Sequence, residues 1–212
     1  MNRRFALRLM AASPPAIFGQ SQPDQNPASA QKIWDEVYSA ADPIHNRYPN
    51  RFLAEIAEKA NPGRALDIGI GQGRNALYLA ALGWNVTGID ISEKGIEVAR
   101  AAAQRRKLTI EAVQADFMTY DLGKSQWDLV SEIYMQGIIL PRAAQVAESL
   151  RPGGMLVVET GQPLGYEGHS LLTAFAPHLR IVRYEEVRDF GDWTRCGLKV
   201  PLVRMVAMRR ST

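Results

Sequence analysis

Cysteine is nearly absent from this chain of 212 residues, where Cys196 stands alone. No internal disulfide and no cysteine-built zinc site is available, so nothing in the composition speaks for an oxidising compartment. With no obvious base near it in sequence, Cys196 reads as inert. Histidine is scarce as well: His45, His169 and His178 are scattered without metal-ligand spacing, so no metal site is expected. No apolar run approaches the ~20 residues that span a bilayer, which argues against a membrane protein. A surplus of one charge is also missing, with Lys+Arg 25 against Asp+Glu 22, and residues 1–30 hold +2 of the +3 excess. Nucleic-acid binders concentrate positive charge on one face. Here the only dense cluster, Arg105-Arg106-Lys107, falls where a helix should end and reads as a favourable C-terminal charge. The expected partner is a small-molecule substrate, with neither nucleic acid nor membrane, bound by a monomer or weak homodimer.

The first thirty residues differ from the rest of the chain. "MNRRFALRLMAASPPAIFGQSQPDQNPASA" has paired arginines, a short apolar stretch and a polar segment closing on Ala28-Ser29-Ala30. That is the order of an export signal, with arginines of the twin-arginine kind. Arg8 and Pro14-Pro15 interrupt it, and the other reading is a disordered tail. The expectation is a leader or tail over 1–30 and a single domain over 31–212.

From Ala30 the pattern is regular. Ile33, Trp34 and Val37 recur at helical spacing, "ADPIHNRYPN" breaks it, and Phe52, Leu53, Ile56 and Ala57 resume it until Asn61-Pro62-Gly63. Strands and helices then alternate. Strands are expected over 64–70, 85–90, 108–114, 127–134 and 155–160. Helices are expected over 74–82, over 93–106 with Ser92 as N-cap, and from Pro141 to Leu150. Alternating strands and helices imply parallel pairing with right-handed crossovers, hence a doubly wound, Rossmann-like α/β sheet. After a helix near 169–176 the rhythm changes. Two long alternating runs, 178–189 and 197–208, read as an antiparallel C-terminal strand pair, giving a mostly parallel sheet of seven strands.

Between the first two strands lies "GRALDIGIGQGRNALYLAALGWNVTGIDIS". In such sheets ligands bind beyond the carboxyl ends of the strands. Gly69, Gly71 and Gly73 lack Cβ, so backbone and ligand can approach closely there. Asp90 ends the neighbouring strand, where a carboxylate can accept both hydroxyls of a ribose. A dinucleotide fingerprint wants G-x-G-x-x-G, and here the position of its third glycine is Arg74. Asp67, one turn before the bend, is a poor neighbour for a pyrophosphate and a good one for an ammonium group. A ribose joined to a cationic amino-acid tail suits the loop better than a dinucleotide does.

At these residues the chain resembles the class I S-adenosylmethionine-dependent methyltransferases. "LDIGIGQGRNALYLA" and "NVTGIDIS" look like their first two motifs. "VQADFMTYDL", "WDLVSEIYM" and "LRPGGMLVVE" look like the next ones, in order, over residues 30–210. The wording "GRNALYLA" followed by "GWNVTGIDIS" is further similar to the tellurite-resistance and thiopurine type of small-molecule methyltransferase. The resemblance implies S-adenosyl-L-methionine as cofactor. It implies Asp67, Gly69, Gly71 and Gly73 at the methionine moiety and loop wall, Asp90 at the ribose and Ile91 on the adenine face. It further implies Asp116 at the adenine amine with Phe117 lining that pocket. Ile70 departs from the small or polar residue of many relatives.

Each residue also has a plainer reading. Asp90 and Asp116 could cap turns after strands, and Phe117 could be core. Trp34 and Tyr38 sit on a helix that in similar proteins closes over the cofactor, though amphipathic packing gives the same spacing. Glu132 and Tyr134 close the fourth strand, on the rim where a substrate would lie, and Glu132 could equally be a solvated strand end. His45, with Arg47 and Tyr48, is a candidate pocket residue. Glu132 and His45 are the catalytic candidates if a general base is needed. The expected activity is methyl transfer to a small molecule, with a soft sulfur, selenium or tellurium nucleophile that needs no base. The alternatives are a non-catalytic protein binding the same cofactor, and an NAD(P)-dependent oxidoreductase. A cosubstrate consumed every turn favours the cytoplasm over export.

Overall fold

The computed structural model describes residues 26–39, 48–135, 137–161, 169–192 and 199–211. Seven strands form one sheet in the order β3-β2-β1-β4-β5-β7-β6. They are β1 (Arg64–Ile68), β2 (Asn85–Asp90), β3 (Glu111–Gln114), β4 (Trp127–Ile133), β5 (Leu150–Gly161), β6 (Arg180–Phe190) and β7 (Lys199–Met208). The first five pair in parallel, and β7 runs antiparallel to both β5 and β6. The helices are α1 (Pro27–Ser39), α2 (Arg51–Ala57), α3 (Arg74–Ala81), α4 (Glu93–Arg106), α5 (Ala143–Ser149) and α6 (Ser170–Phe175). Among the described residues no helix is long and apolar enough to cross a membrane.

Strand alternation sends side chains to two separate cores. Leu66, Ile68, Val130, Leu156 and Val158 face one way and meet Val146 of α5 with Leu171 and Phe175 of α6. Ala65, Val86, Leu129 and Val157 face the other way and meet Phe52 and Leu53 of α2, Leu79 of α3 and Ile96 of α4. Helices therefore cover both faces. This explains why the central strands read as nearly continuous apolar runs.

The expected elements recur with instructive shifts. Ser92 caps α4 by accepting from the Gly95 amide at 3.0 Å, and Arg105 and Arg106 occupy its last turn. β3 is shorter than 108–114 because Lys107 ends α4 in the left-handed region, φ 54°, and the Leu108 amide turns back to the Ala103 carbonyl at 3.0 Å. β5 begins at Leu150 and runs through Pro152-Gly153-Gly154, which reads in sequence only as a helix stop. The register slips there: Trp127 pairs with Leu150, but Leu129 pairs with Met155. Gly153, at φ 80°, supplies the irregular backbone that the bulge needs. α1 begins at Pro27, so it crosses residue 30, where the leader or tail was expected to end. Proline at a first helical position loses no intrahelical hydrogen bond.

Candidate functional site

β1 and β4 are neighbours, and the chain winds away from them in opposite directions. The crevice beyond their carboxyl ends is the binding position that this topology creates. The bend from Gly69 to Gly73 lies there. The amides of Gly69 and Ile70 both donate to the Ile89 carbonyl, at 2.9 and 3.0 Å, which ties the bend to the end of β2. Gly69 and Gly71 have φ of 74° and 50°, conformations that a side chain at either position would strain. Ile70 does not block the bend. It is 4% exposed and lies against Gly88, where a Cβ would collide with it.

Two carboxylates flank the bend, 1% and 8% exposed. Asp67 Oδ1 accepts from the Ser131 hydroxyl at 2.7 Å, whereas its Oδ2 is buried with no hydrogen-bond partner among the described residues. Burial pushes Asp67 up to about 6, with a smaller push from Asp90, against the pull of the Ser131 hydroxyl and the Arg74 charge. The Ala76 amide pulls the same way more weakly, lying too far or too oblique for a full hydrogen bond to Oδ2. Asp90 Oδ2 accepts from the Gly71 amide at 2.8 Å, and its Oδ1 from the Ser92 amide at 2.9 Å. Burial raises Asp90 too, opposed by those amides. One acid is thus left with unused acceptor capacity on a desolvated oxygen, while the other grips the bend itself.

α1 closes the site. Asp35 accepts from the Ser92 hydroxyl at 2.6 Å and from the Lys94 amide at 3.0 Å, docking α1 onto the start of α4. Trp34 and Tyr38 stack at 5.8 Å between ring centroids, and the Tyr38 phenol lies over Gly71, where a Cβ would overlap it. Burial, then the nearby Asp90, pushes the Tyr38 phenol far above its ordinary value. Between Tyr38, Met135, Tyr134 and the bend a cavity of about 70 Å³ remains, lined also by Trp34, Arg74, Asp90 and Ile91. A nucleoside needs several times that volume, so Tyr38 or Met135 has to withdraw before one can bind. A roomier trough of about 350 Å³ runs between α1 and Lys94, but it is open and lies outside the bend.

The floor beyond Tyr134 is a polar network that sequence reasoning missed. Asn50 is 1% exposed and caps α2 by accepting from the Leu53 amide at 2.9 Å. Its own amide donates to Asn75 Oδ1 at 2.9 Å. Asn50 Nδ2 reaches Glu159 at 2.7 Å and Asp192 at 3.0 Å. The Tyr134 hydroxyl donates to the same Glu159 oxygen. Arg74 pairs with Asp192 at 2.7 Å, and Arg204 pairs with Glu159 at 2.5 Å and Asp189 at 2.9 Å. Only the N-cap role of Asn50 leaves a local signal. Its partners lie up to 142 residues away.

The candidates from sequence divide accordingly. Gly69, Gly71, Asp90, Ile91 and Trp34 line the crevice, with Asp67 directly beneath and Gly73 capping α3 in the left-handed region. Asp116 and Phe117 do not line the cavity of about 70 Å³. Asp116 Oδ1 accepts from the Met118 amide at 2.8 Å, the turn-capping use that aspartate often has. Phe117 is core, 4% exposed beneath the Arg142 guanidinium at 4.9 Å. Glu132 is no solvated strand end: it is fully buried, in register with Ile68 and Val158 on the face opposite Ser131. His45 lies outside the described residues, as do Arg47 and Cys196. No group of acids, histidines and cysteines able to hold a metal occurs among the described residues.

Comparison with known proteins agrees with this fold. Residues 65–154 match the family described as a methyltransferase domain. Over 99 residues the chain is 26% identical to the probable S-adenosyl-L-methionine-dependent methyltransferase TehB of Haemophilus influenzae, covering 47% of this chain and 35% of that protein. Over 157 residues it is 29% identical to the ubiquinone biosynthesis O-methyltransferase of Bordetella avium, covering 71% and 64%. The chain thus spans less than two thirds of either relative. The crystal structure of Haemophilus influenzae TehB superposes with a TM-score of 0.64 at 18% identity, over 85% of this chain and 67% of that one, a likeness of fold. Over residues 65–154 the chain thus resembles a methyltransferase domain, and its fold is that of TehB.

Proposed function

We propose that this protein transfers a methyl group from S-adenosylmethionine to a small-molecule acceptor, through a soft sulfur, selenium or tellurium nucleophile. The observation that carries the cofactor assignment is Asp67: a buried carboxylate beside a glycine bend, with one oxygen unpartnered among the described residues. An ammonium group satisfies that oxygen, whereas a pyrophosphate is repelled by it. The residues fit the cofactor. Asp67 would hold its ammonium, Gly69 and Gly71 its backbone approach, Asp90 its ribose and Ile91 its adenine. Trp34 and Tyr38 would cover it.

When bound, the cofactor supplies an activated methyl group, so the protein's task is orientation, worth roughly 7–11 kcal/mol in well-aligned systems. Tyr134 is suited to that task because its hydroxyl is held by Glu159, fixing the ring at the crevice wall. A soft nucleophile attacks without help from a base, which leaves Glu132 and His45 as reserves for a harder acceptor. Residues 31–212 act as one domain in this reading, and the reaction belongs in the cytoplasm, where the cosubstrate is made.

Titration of the purified chain with S-adenosylmethionine and with NADH tests the assignment. The first should bind in the micromolar range and the second should not. Asp90→Ala should weaken the first by about 10- to 100-fold, the worth of charge-assisted hydrogen bonds. Binding of NADH, or indifference to Asp90→Ala, would reject the reading.

A further inference from the structure

The charges around the crevice do not balance. Asp67, Asp90 and Glu159 are nearly inaccessible, and the Asp192 side chain is 9% exposed. The guanidiniums nearby are already engaged. Arg74, the only cation lining the crevice among the described residues, is 9% exposed and bound to Asp192 at 2.7 Å. Arg204 is shared between Glu159 and Asp189. S-adenosylmethionine brings one net positive charge, too little to neutralise the excess of carboxylates. The buried Tyr134 phenol responds to the same field: burial first, then Glu159 and Asp192, holds it far above its ordinary value.

An anionic acceptor would therefore lose its hydration, meet no uncommitted cation on the described wall, and face several buried carboxylates. Like charges brought together in a desolvated site cost several kcal/mol. From this arrangement we infer that the acceptor enters the crevice as a neutral or cationic molecule. A thioether without carboxylate, phosphate or oxyanion groups is of that class: its sulfur takes the methyl group to become a sulfonium as S-adenosylhomocysteine leaves, and no proton has to be removed. The inference rests on the methyltransferase reading and narrows it, because it excludes oxyanions such as tellurite as the species bound directly.

The test uses the whole chain saturated with S-adenosylhomocysteine and reads binding rather than turnover. Ligand-observed NMR titrations would compare 2-(methylthio)ethanol, 2-(methylthio)ethylamine and (methylthio)acetate, which share a thioether and differ in charge. The acetate should bind at least about tenfold more weakly than the neutral alcohol, and the amine at least as well as the alcohol. Asp192→Asn releases Arg74 and should narrow the gap between acetate and alcohol. Equal or tighter binding of the acetate overturns the inference, and so does failure of all three to bind the saturated protein. Failure of S-adenosylhomocysteine itself to bind would instead overturn the methyltransferase reading.

Discussion

Across the paired strands β1 and β4, the Ser131 hydroxyl donates to Asp67 Oδ1 at 2.7 Å, and the other oxygen of Asp67 is buried beside the glycine bend without a protein partner among the described residues. A carboxylate in this state is a cost to the ligand-free fold. Its value of about 6 lies above the ordinary range, with burial as the main cause. Between roughly pH 4 and that value the folded chain keeps a proton that the unfolded chain has lost. Stability therefore falls as pH rises through this window, and the cost persists above it.

Asp67→Asn should accordingly stabilise the ligand-free protein at pH 8, by no more than about 3 kcal/mol. At pH 4 most of the gain should disappear, because folded Asp67 is protonated there and the unfolded side chain is already about half protonated. Urea midpoints at the two pH values measure the difference. An equal effect of the substitution at both would show that Asp67 is not the group responsible.

The cofactor should reverse this preference. An ammonium group pairs with ionised Asp67 and not with the acid, so affinity for S-adenosylmethionine should decline as pH drops below about 6. In Asp67→Asn the pH dependence should flatten and affinity should be weak throughout. Isothermal titration from pH 5 to pH 8 reads both. Undiminished binding by the variant would remove Asp67 from the site.

Asn50 offers a second test, of how the crevice floor is held. Asn50→Ala removes the cap of α2, worth about 1 kcal/mol, and leaves Glu159 and Asp192 short of the Asn50 side-chain donor, at about 1–3 kcal/mol more. Asn50→Asp keeps the cap oxygen but sets another carboxylate against Glu159 and Asp192, so its instability should ease as pH falls. Urea unfolding of both variants at pH 5 and pH 8 separates the capping loss from the charge effect. If Asn50→Ala unfolds like the parent, the network contributes nothing to the fold.

The contrast between Asp67 and Asn50 shows what the sequence could disclose. The sheet was legible because buried parallel strands and amphipathic helices impose different apolar periods. The bend was legible because three alternate glycines before a helix have few other uses. Asp67 and Asp90 could be placed since each terminates a strand beside that bend. Asp116 followed the same rule, yet its oxygen goes to the Met118 amide, a local bond that no spacing distinguishes from a ligand contact. Asn50, Glu159, Asp192 and Arg204 stayed hidden for a different reason. Each is an ordinary polar residue in its own segment, and the network exists only once the ends of β4 and β5, the start of α2 and the turn after β6 are folded together.

The remaining prediction concerns closure. Tyr38 and Met135 leave only about 70 Å³ beside the bend, so a nucleoside can enter only if Met135 withdraws or if α1 shifts or Tyr38 changes rotamer. Trp34 stacks on Tyr38 at 5.8 Å and must feel either of the last two motions. Trp84 and Trp127, at 3% and 1% exposure, are fixed in the two cores and should be silent. In a Trp193→Phe background, which removes the fourth tryptophan of the chain, adding S-adenosylhomocysteine should therefore change the tryptophan emission, and Trp34→Phe should abolish most of that change while the ligand still binds by calorimetry. Tyr38→Ala should shrink the signal as well, because the stack that reports the motion is already broken. An emission change that survives Trp34→Phe in full would mean that the cofactor enters without disturbing α1, leaving Met135 as the side chain that makes room.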